Sequence, residues 1–280
     1  MERVTKRYTP VRIGAAGDVA NNKPGTLPID IQTTTFLISV ATQIAVLVTS
    51  SIALGNNNQP YELPPLLLLV IWLELVVQSV ELLWYISVGT LFILGRGSIA
   101  VKWRYLDWSI TTPLMMVSVL LFTEYLACES ATAATFFADG SKTAAMVVVV
   151  VFDLAMLLIG FFYEAEFASI TTRLDFYGPG SGLWLGWVPF LGIFIPQFVH
   201  LATNYTMWGL VTVLTTAVTW ALYGVAALVF RTPESAKLKN STYNVLDILS
   251  KNLTGLLTAI VAMGISGATT PPVWNTTVCD

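Results

Sequence analysis

The stretch that decides the fold is YNVLDILSKNLTGLLTAIVAMGI, residues 243–265. It is an apolar run of membrane-spanning length, with Lys251 inside it and Asp247 one helical turn earlier. A lysine at bilayer depth costs about 2.5 to 3.5 kcal/mol on insertion scales, so it calls for a partner and a purpose. A desolvated lysine amine readily forms a Schiff base with an aldehyde. A carboxylate at i−4 shares the lysine's helix face, where its charge would stabilise a protonated imine. The plainer reading of the same two residues is an intramembrane ion pair that only fixes packing.

The rest of the chain supplies the setting. Its 280 residues are 55% hydrophobic and 11% charged, with a mean hydropathy of +0.71, whereas soluble domains carry about 25% charged residues. Apolar segments lie near 31–54, 64–95, 103–123, 143–163, 183–203, 207–230 and 243–265. They are too long and too continuously apolar for barrel strands, and backbone groups in hydrocarbon must be satisfied internally. The expectation is an all-α membrane protein, a seven-transmembrane-helix bundle spanning 29–265, with a polar N-terminal segment at 1–28 and a tail at 266–280. The basic first 28 residues lack the apolar core of a cleavable signal peptide. Cys128 and Cys279 form no framework and no metal-ligand spacing, and no metal site is expected.

The third span opens Trp103-Arg104-Tyr105-Leu106-Asp107-Trp108-Ser109-Ile110-Thr111-Thr112-Pro113-Leu114. Arg104, Asp107 and Thr111 follow i, i+3, i+7 spacing and share one helix face, with Thr111 placed to hydrogen-bond the Asp107 carboxylate. RYLDWSITTPL here, together with LDILSKN in the last span, resembles the microbial (type 1) rhodopsins, and the resemblance covers essentially the whole chain.

That resemblance implies a retinal-binding, light-activated ion-transport protein rather than an enzyme. Lys251 would carry retinal as a Schiff base, Asp107 and Asp247 would be its counterions, Arg104 would sit below them, and Asp107 would be the first proton acceptor. The retinal cage would comprise Trp108 and Thr112, then Asp153, Met156 and Gly160, then Trp187, and finally Trp220 and Tyr223, with Thr112 and Asp153 hydrogen-bonded between helices. Any one of these aromatics alone would be ordinary core packing. The sixth-span pattern departs from the family: Tyr223 is followed by Gly224, and Ala227 stands where a second aromatic is usual.

The kind of transport turns on two further features. Eleven residues after Asp107, roughly 16 Å along the helix, stands Ser118, where similar outward proton pumps carry a carboxylic acid. In the second span Glu74, Gln78, Glu81 and Tyr85 recur at i, i+4, i+7 and i+11, a polar stripe that is costly in a bilayer unless it lines water or finds partners. Asn244, one turn before Asp247, is placed to supply an amide partner. Cation channels need acidic and amide groups spaced through the bundle, whereas pumps must block continuous water. A closed bundle with Glu74 and Glu81 protonated and hydrogen-bonded is the plainer alternative.

The set of Glu74 and Glu81, Asp107-Thr111-Ser118, and Asn244 with Asp247 and Lys251 is similar to the group 1 viral rhodopsins, which implies light-gated cation conduction in a host-cell membrane. An outward proton pump with slow reprotonation is the alternative, and a sensory photoreceptor a third. Thr33, Thr34, Thr35, Ser39 and Thr42 of the first span are candidate pore hydroxyls, though membrane threonines usually bond their own backbone. The partners implied are the lipid bilayer and small cations or protons; nucleic acid is not expected and homo-oligomerisation stays open.

Orientation divides the two lines of argument. Eleven Lys and Arg fall on the N-terminal side of the bundle against Lys142 alone on the other, which by the positive-inside rule puts the N-terminus in the cytoplasm. The family resemblance implies the opposite, and is the orientation taken.

Overall fold

The computed structural model describes residues 31–55, 63–93, 101–165, 168–175, 177, 181–231 and 235–266. Seven of its helical stretches are long and apolar enough to cross a membrane. They are built from α1 (Ile31–Gly55), α2 (Pro65–Ile93), α3 (Arg104–Ala127), α5 (Gly140–Glu164), α7 (Trp187–Thr203), α8 (Met207–Val229) and a last span made of α9 (Ala236–Asp247) and α10 (Leu253–Ser266). Two short helices, α4 (Ala133–Ala138) and α6 (Ala168–Leu174), sit in the connections. No strand occurs among the described residues.

Each spanning helix packs on the next, and α9 and α10 return to α1, so the bundle closes into a ring. Within it α3 also touches α8, which makes α3 the most enclosed helix. By contrast α5 buries only Val149, Asp153 and Leu157, one narrow stripe at i, i+4, i+8. The polarity of the ring is reversed relative to a soluble protein. Ile38, Trp72, Leu83, Val151 and Val188 face outward, while Gln43, Glu74, Glu81, Arg104, Asp107 and Asp247 are buried. Lipid tails solvate the apolar exterior, and polar groups gain by turning toward one another.

Two features of the last span depart from the hydropathy pattern. It begins at Ala236, not near 243: its first turns, AKLKNST, are polar, and Lys239, Asn240 and Ser241 among them are buried, with Lys239 Nζ held 2.7 Å from Glu164 Oε1. Its middle, Ile248–Asn252, is a π-helical turn: the Leu253 N–H reaches back to the carbonyl of Ile248, five residues away. Such wide turns re-aim one side chain and loosen the local carbonyl ladder. Here Lys251 lies in the turn, and its carbonyl accepts from Gln78 Nε2 at 3.2 Å. Cys128 Sγ lies 3.5 Å from Ser130 Oγ in the connection after α3. Cys279 and the segments 1–28 and 267–280 lie outside the described residues.

Candidate functional site

Three spans deliver charge to one point in the bundle. Lys251 Nζ lies 2.9 Å from Asp107 Oδ2 on α3, 3.5 Å from Glu81 Oε1 on α2 and 3.9 Å from Asp247 Oδ1 on its own helix. The lysine is 1% exposed and both glutamate and aspartates are equally enclosed. Three carboxylates around one amine would leave excess negative charge, and Arg104 offsets part of it through a 2.8 Å bridge to Asp247 Oδ2.

Asp247 is the best satisfied of the three acids. Its Oδ2 accepts from Tyr85 and Arg104, both at 2.8 Å, and its Oδ1 accepts from Tyr223 at 2.5 Å. Asp107 and Glu81 are held more loosely. Asp107 Oδ1 and both Glu81 oxygens find no hydrogen-bond partner among the described residues, although Lys251 pairs with each acid as a charge.

Below this point the Arg104 guanidinium is enclosed by Tyr85, Asn244 and the ring of Trp84, 5.1 Å away. Asn244 therefore serves Arg104 and Tyr85, and donates to Thr35 on α1 at 3.0 Å. This corrects the expectation that its amide would partner the second-helix carboxylates, since helix rotation turns it toward α1 and the arginine. A second correction concerns Thr111, whose hydroxyl bonds the Asp107 backbone carbonyl at 3.0 Å, not the carboxylate. A carbonyl four residues back is always within reach of a helical threonine, and it wins here.

Above the amine, Gln78 bonds the Lys251 carbonyl and Ser118 donates to Glu74 Oε1 at 2.6 Å. On α1, Thr42 bonds the carbonyl of Ile38 and Thr34 is exposed, while Ser39 accepts from Gln43 inside the bundle.

To one side of Lys251 runs a cavity of about 110 Å³, walled almost wholly by apolar groups. Trp108, Thr112, Met156, Gly160, Trp187, Trp220 and Tyr223 all line it, and Lys251 closes one end. Asp153 stands behind the wall, accepting from Thr112 at 2.8 Å. Trp108 meets Tyr223 and Tyr243 edge-on, each with centroids 5.3 Å apart. The departures on the sixth span have a compensation: a Cβ on Gly224 would lie 3.3 Å from the Trp187 ring, which fills the space alongside Gly224. A long apolar cavity ending at a buried amine with carboxylates beside it fits a polyene aldehyde joined to that amine.

Several site residues escaped sequence reasoning. Tyr243 and Tyr105 line the cavity, and Tyr85 joins Asp247 to Arg104. Only Tyr85 left a signal, as the last member of the second-span stripe.

A family model described as bacteriorhodopsin-like protein matches residues 30–265. Among solved structures, viral rhodopsin OLPVRII superposes with a TM-score of 0.64 at 22% identity, covering 84% of this chain and 99% of that one. Xanthorhodopsin, a light-driven ion pump with dual chromophore, gives 0.65 at 18% over 84% and 93%. The thermophilic rhodopsin from Rubrobacter xylanophilus gives 0.61 at 18% over 84% and 97%. At these identities the likeness is one of fold. A comparison with curated protein sequences finds no match.

Proposed function

The chain belongs to the bacteriorhodopsin-like family of microbial rhodopsins, integral multi-pass membrane proteins that bind retinal through a lysine, and on that premise we propose that it is a light-gated cation channel of the group 1 viral type. Retinal supplies light absorption and a change of shape on isomerisation. Lys251 is the attachment residue, with Asp107 and Asp247 as counterions and Trp108, Thr112, Asp153, Met156, Gly160, Trp187, Trp220 and Tyr223 as the cage.

The residues divide the work by how well each is satisfied. Asp107 takes the proton from Lys251 Nζ, because it lies nearest and keeps an oxygen without a donor. Asp247, saturated by Tyr85, Tyr223 and Arg104, stays charged as an anchor. Loss of charge at Nζ and Asp107 weakens the hold on Glu81, 3.5 Å away. Cations then move along the second-helix stripe of Glu74, Gln78 and Glu81, with Ser118 releasing Glu74 and Arg104 swinging away from Asn244.

The observation that carries this reading is the row of buried polar atoms between α1, α2 and the last span that lack hydrogen-bond partners among the described residues: Gln43 Oε1, Glu74 Oε2, Gln78 Oε1, and both amide atoms of Asn252. Groups of this kind are satisfied by water, and a file of them is what a conducting path needs. Gly255 keeps space beside them, since its missing Cβ would meet Glu74 Oε2 at 3.2 Å and Gln78 Nε2 at 3.3 Å.

The second reading, an outward proton pump with slow reprotonation, is favoured by the closed Arg104–Tyr85–Asn244–Asp247 network, which seals one end. Voltage-clamp recording under illumination decides. A current reversing near the equilibrium potential of sodium or potassium supports the channel, and an outward current that persists without any gradient overturns it in favour of the pump.

A further inference from the structure

The interior around the last span is short of positive charge. Four buried carboxyl groups, Glu74, Glu81, Asp107 and Asp247, share it with two buried basic groups, Lys251 and Arg104. Lys251 pairs with Glu81, Asp107 and Asp247, and Arg104 pairs with Asp247. Glu74 is the one acid of the four with no ion pair among the described residues, and an isolated carboxylate in a medium of low dielectric is costly.

Glu74 stands where three spans meet. A Cβ on Gly255 of α10 would lie 3.0 Å from Val46 Cγ1 on α1, 3.2 Å from Glu74 Oε2 and 3.3 Å from Gln78 Nε2 on α2. Gln43 precedes Val46 by three residues and Asn252 precedes Gly255 by three, so each lies about one helical turn from this point. Glu74, Gln78, Gln43 and Asn252 are all at most 1% exposed. They leave four acceptor oxygens without hydrogen-bond partners among the described residues, Glu74 Oε2, Gln78 Oε1, Gln43 Oε1 and Asn252 Oδ1, against a single donor group, Asn252 Nδ2. The orientation of the Gln78 amide is fixed, because its Nε2 donates to the Lys251 carbonyl, which can only accept. Gln43 Nε2 likewise turns to Ser39 Oγ at 3.3 Å. Water both donates and accepts, whereas a cation asks for acceptors alone, and acceptors are what is in excess around this carboxylate.

We infer that Glu74, Gln78, Gln43 and Asn252 hold one small monovalent cation in the dark, with the Glu74 carboxylate as its charge partner and the three amide oxygens completing its shell. Carboxylate and carbonyl oxygens are the ligands that replace the hydration of hard cations. One carboxylate balances one positive charge, and a divalent ion would leave a buried excess. Ser118 donates to Oε1, which leaves Oε2 to face the ion. Ser50 Oγ is buried and without a hydrogen-bond partner among the described residues, four residues beyond Val46 toward the end where α1 finishes, and it marks the approach. The inference rests on the reading of this row as a cation path, and adds to it a resident ion of the alkali class.

The test uses the full chain, reconstituted with retinal in nanodiscs and kept dark. It is melted at fixed pH and fixed ionic strength while sodium chloride replaces choline chloride, whose cation is too large for the site. A ligand that binds only the folded protein stabilises it increasingly with concentration. The melting temperature should therefore climb with sodium, and equilibrium dialysis against radioactive sodium should saturate at one ion per chain. Glu74→Gln should abolish both effects. Gln43→Leu, which removes one amide oxygen, should raise the half-saturating sodium concentration by about tenfold, the equivalent of roughly 1.4 kcal/mol. Equal melting in sodium and choline, or a sodium effect that survives Glu74→Gln, overturns the site, and calcium chloride acting at lower concentration than sodium overturns its monovalent assignment. Should Glu74→Gln fail to fold, the half-saturating concentration of Gln43→Leu decides, because a merely structural glutamine would leave it unmoved. No current is measured, so the loss of the sodium effect removes the ion while the photocurrent reversal potential still judges the channel; a pump-like photocurrent beside an intact sodium effect counts against conduction and not against the bound ion.

Discussion

Ser118 Oγ donates to Glu74 Oε1 across 2.6 Å, joining α3 to α2 where neither residue has any exposure. The other carboxyl oxygen, Oε2, has no hydrogen-bond partner among the described residues. Ser118→Ala therefore removes the one side-chain hydrogen bond to Glu74 among the described residues. Leaving a buried polar group unmade costs about 1–3 kcal/mol, so the dark protein should melt several degrees lower. Glu74→Gln keeps an acceptor for Ser118 and should melt closer to the native protein. Equal melting of Ser118→Ala and native protein would show that the pair contributes nothing to the closed bundle.

Gly160 tests the cavity wall. A Cβ there would stand 2.5 Å from the Tyr105 hydroxyl oxygen, and Tyr105 is already packed edge-on against Trp108 at 5.1 Å and against Phe161 at 5.8 Å. Gly160→Ala must push Tyr105 into these rings, an overpacking strain of about 1–3 kcal/mol. The expected outcome is a shifted absorption maximum and slower uptake of added retinal, followed by absorption spectroscopy. An unchanged spectrum and uptake rate would show that the wall yields freely at this point.

Gly255 tests the path. Its Cβ would crowd Val46 at 3.0 Å as well as Glu74 and Gln78, so Gly255→Val fills the space where α1, α2 and α10 meet, away from the cavity that holds the cage aromatics. Retinal absorption should survive while most of the photocurrent is lost at matched expression. A full-sized current would move the pathway away from the second-helix stripe.

How far the sequence reached depends on whether a relationship is local. The faces shared by Arg104, Asp107 and Thr111, and by Asp247 and Lys251, follow from helix periodicity, and so does the stripe on α2. What those faces meet is set by how seven helices rotate against one another, which periodicity does not encode. The α2 stripe does not reveal that Glu81 also stands 3.5 Å from Lys251, and the place of Asn244 one turn before Asp247 does not reveal that its amide holds Arg104. The π-helical turn at Ile248–Asn252 has no signature in its residues. Gln43 and Asn252 come from separate spans, each unremarkable alone.

Asp139 offers a pH dependence outside the membrane-spanning segments. As N-cap of α5 it accepts from the Ser141 hydroxyl at 2.6 Å, the Ser141 N–H at 2.8 Å and the Lys142 N–H at 3.3 Å. The Ser141 hydroxyl, followed by these backbone N–H groups, holds its carboxyl below the ordinary value. A depressed carboxyl stabilises the fold above its unfolded titration range, and that stability disappears as pH falls through the folded value. Capping should therefore be intact at neutral pH and lost in acid below the ordinary aspartate range. Asp139→Ala should lower the melting temperature at neutral pH and converge on the native protein in strong acid. A constant gap across the whole range would mean that the side chain acts by packing alone.

The two aspartates beside Lys251 should fail differently when neutralised. Asp247 anchors Arg104, whose side chain has no exposure and whose charge is otherwise met, among the described residues, by neutral groups: the Tyr85 and Asn244 oxygens and the rings of Trp84 and Tyr85. Asp247→Asn leaves a buried cation without its counter-charge, a loss of about 3–5 kcal/mol, and should lower yield and melting temperature sharply. Tyr85→Phe removes one neutral donor from the same carboxylate and should cost about 0.5–1.5 kcal/mol. Asp107 holds no such structural post: with Asp107→Asn, Lys251 still has Glu81 at 3.5 Å and Asp247 at 3.9 Å. That variant should fold and bind retinal with a shifted absorption maximum, while flash spectroscopy shows proton loss from Nζ slowed by orders of magnitude. Should Asp107→Asn be the less stable protein and Asp247→Asn the slower in proton loss, the two roles would have to be exchanged.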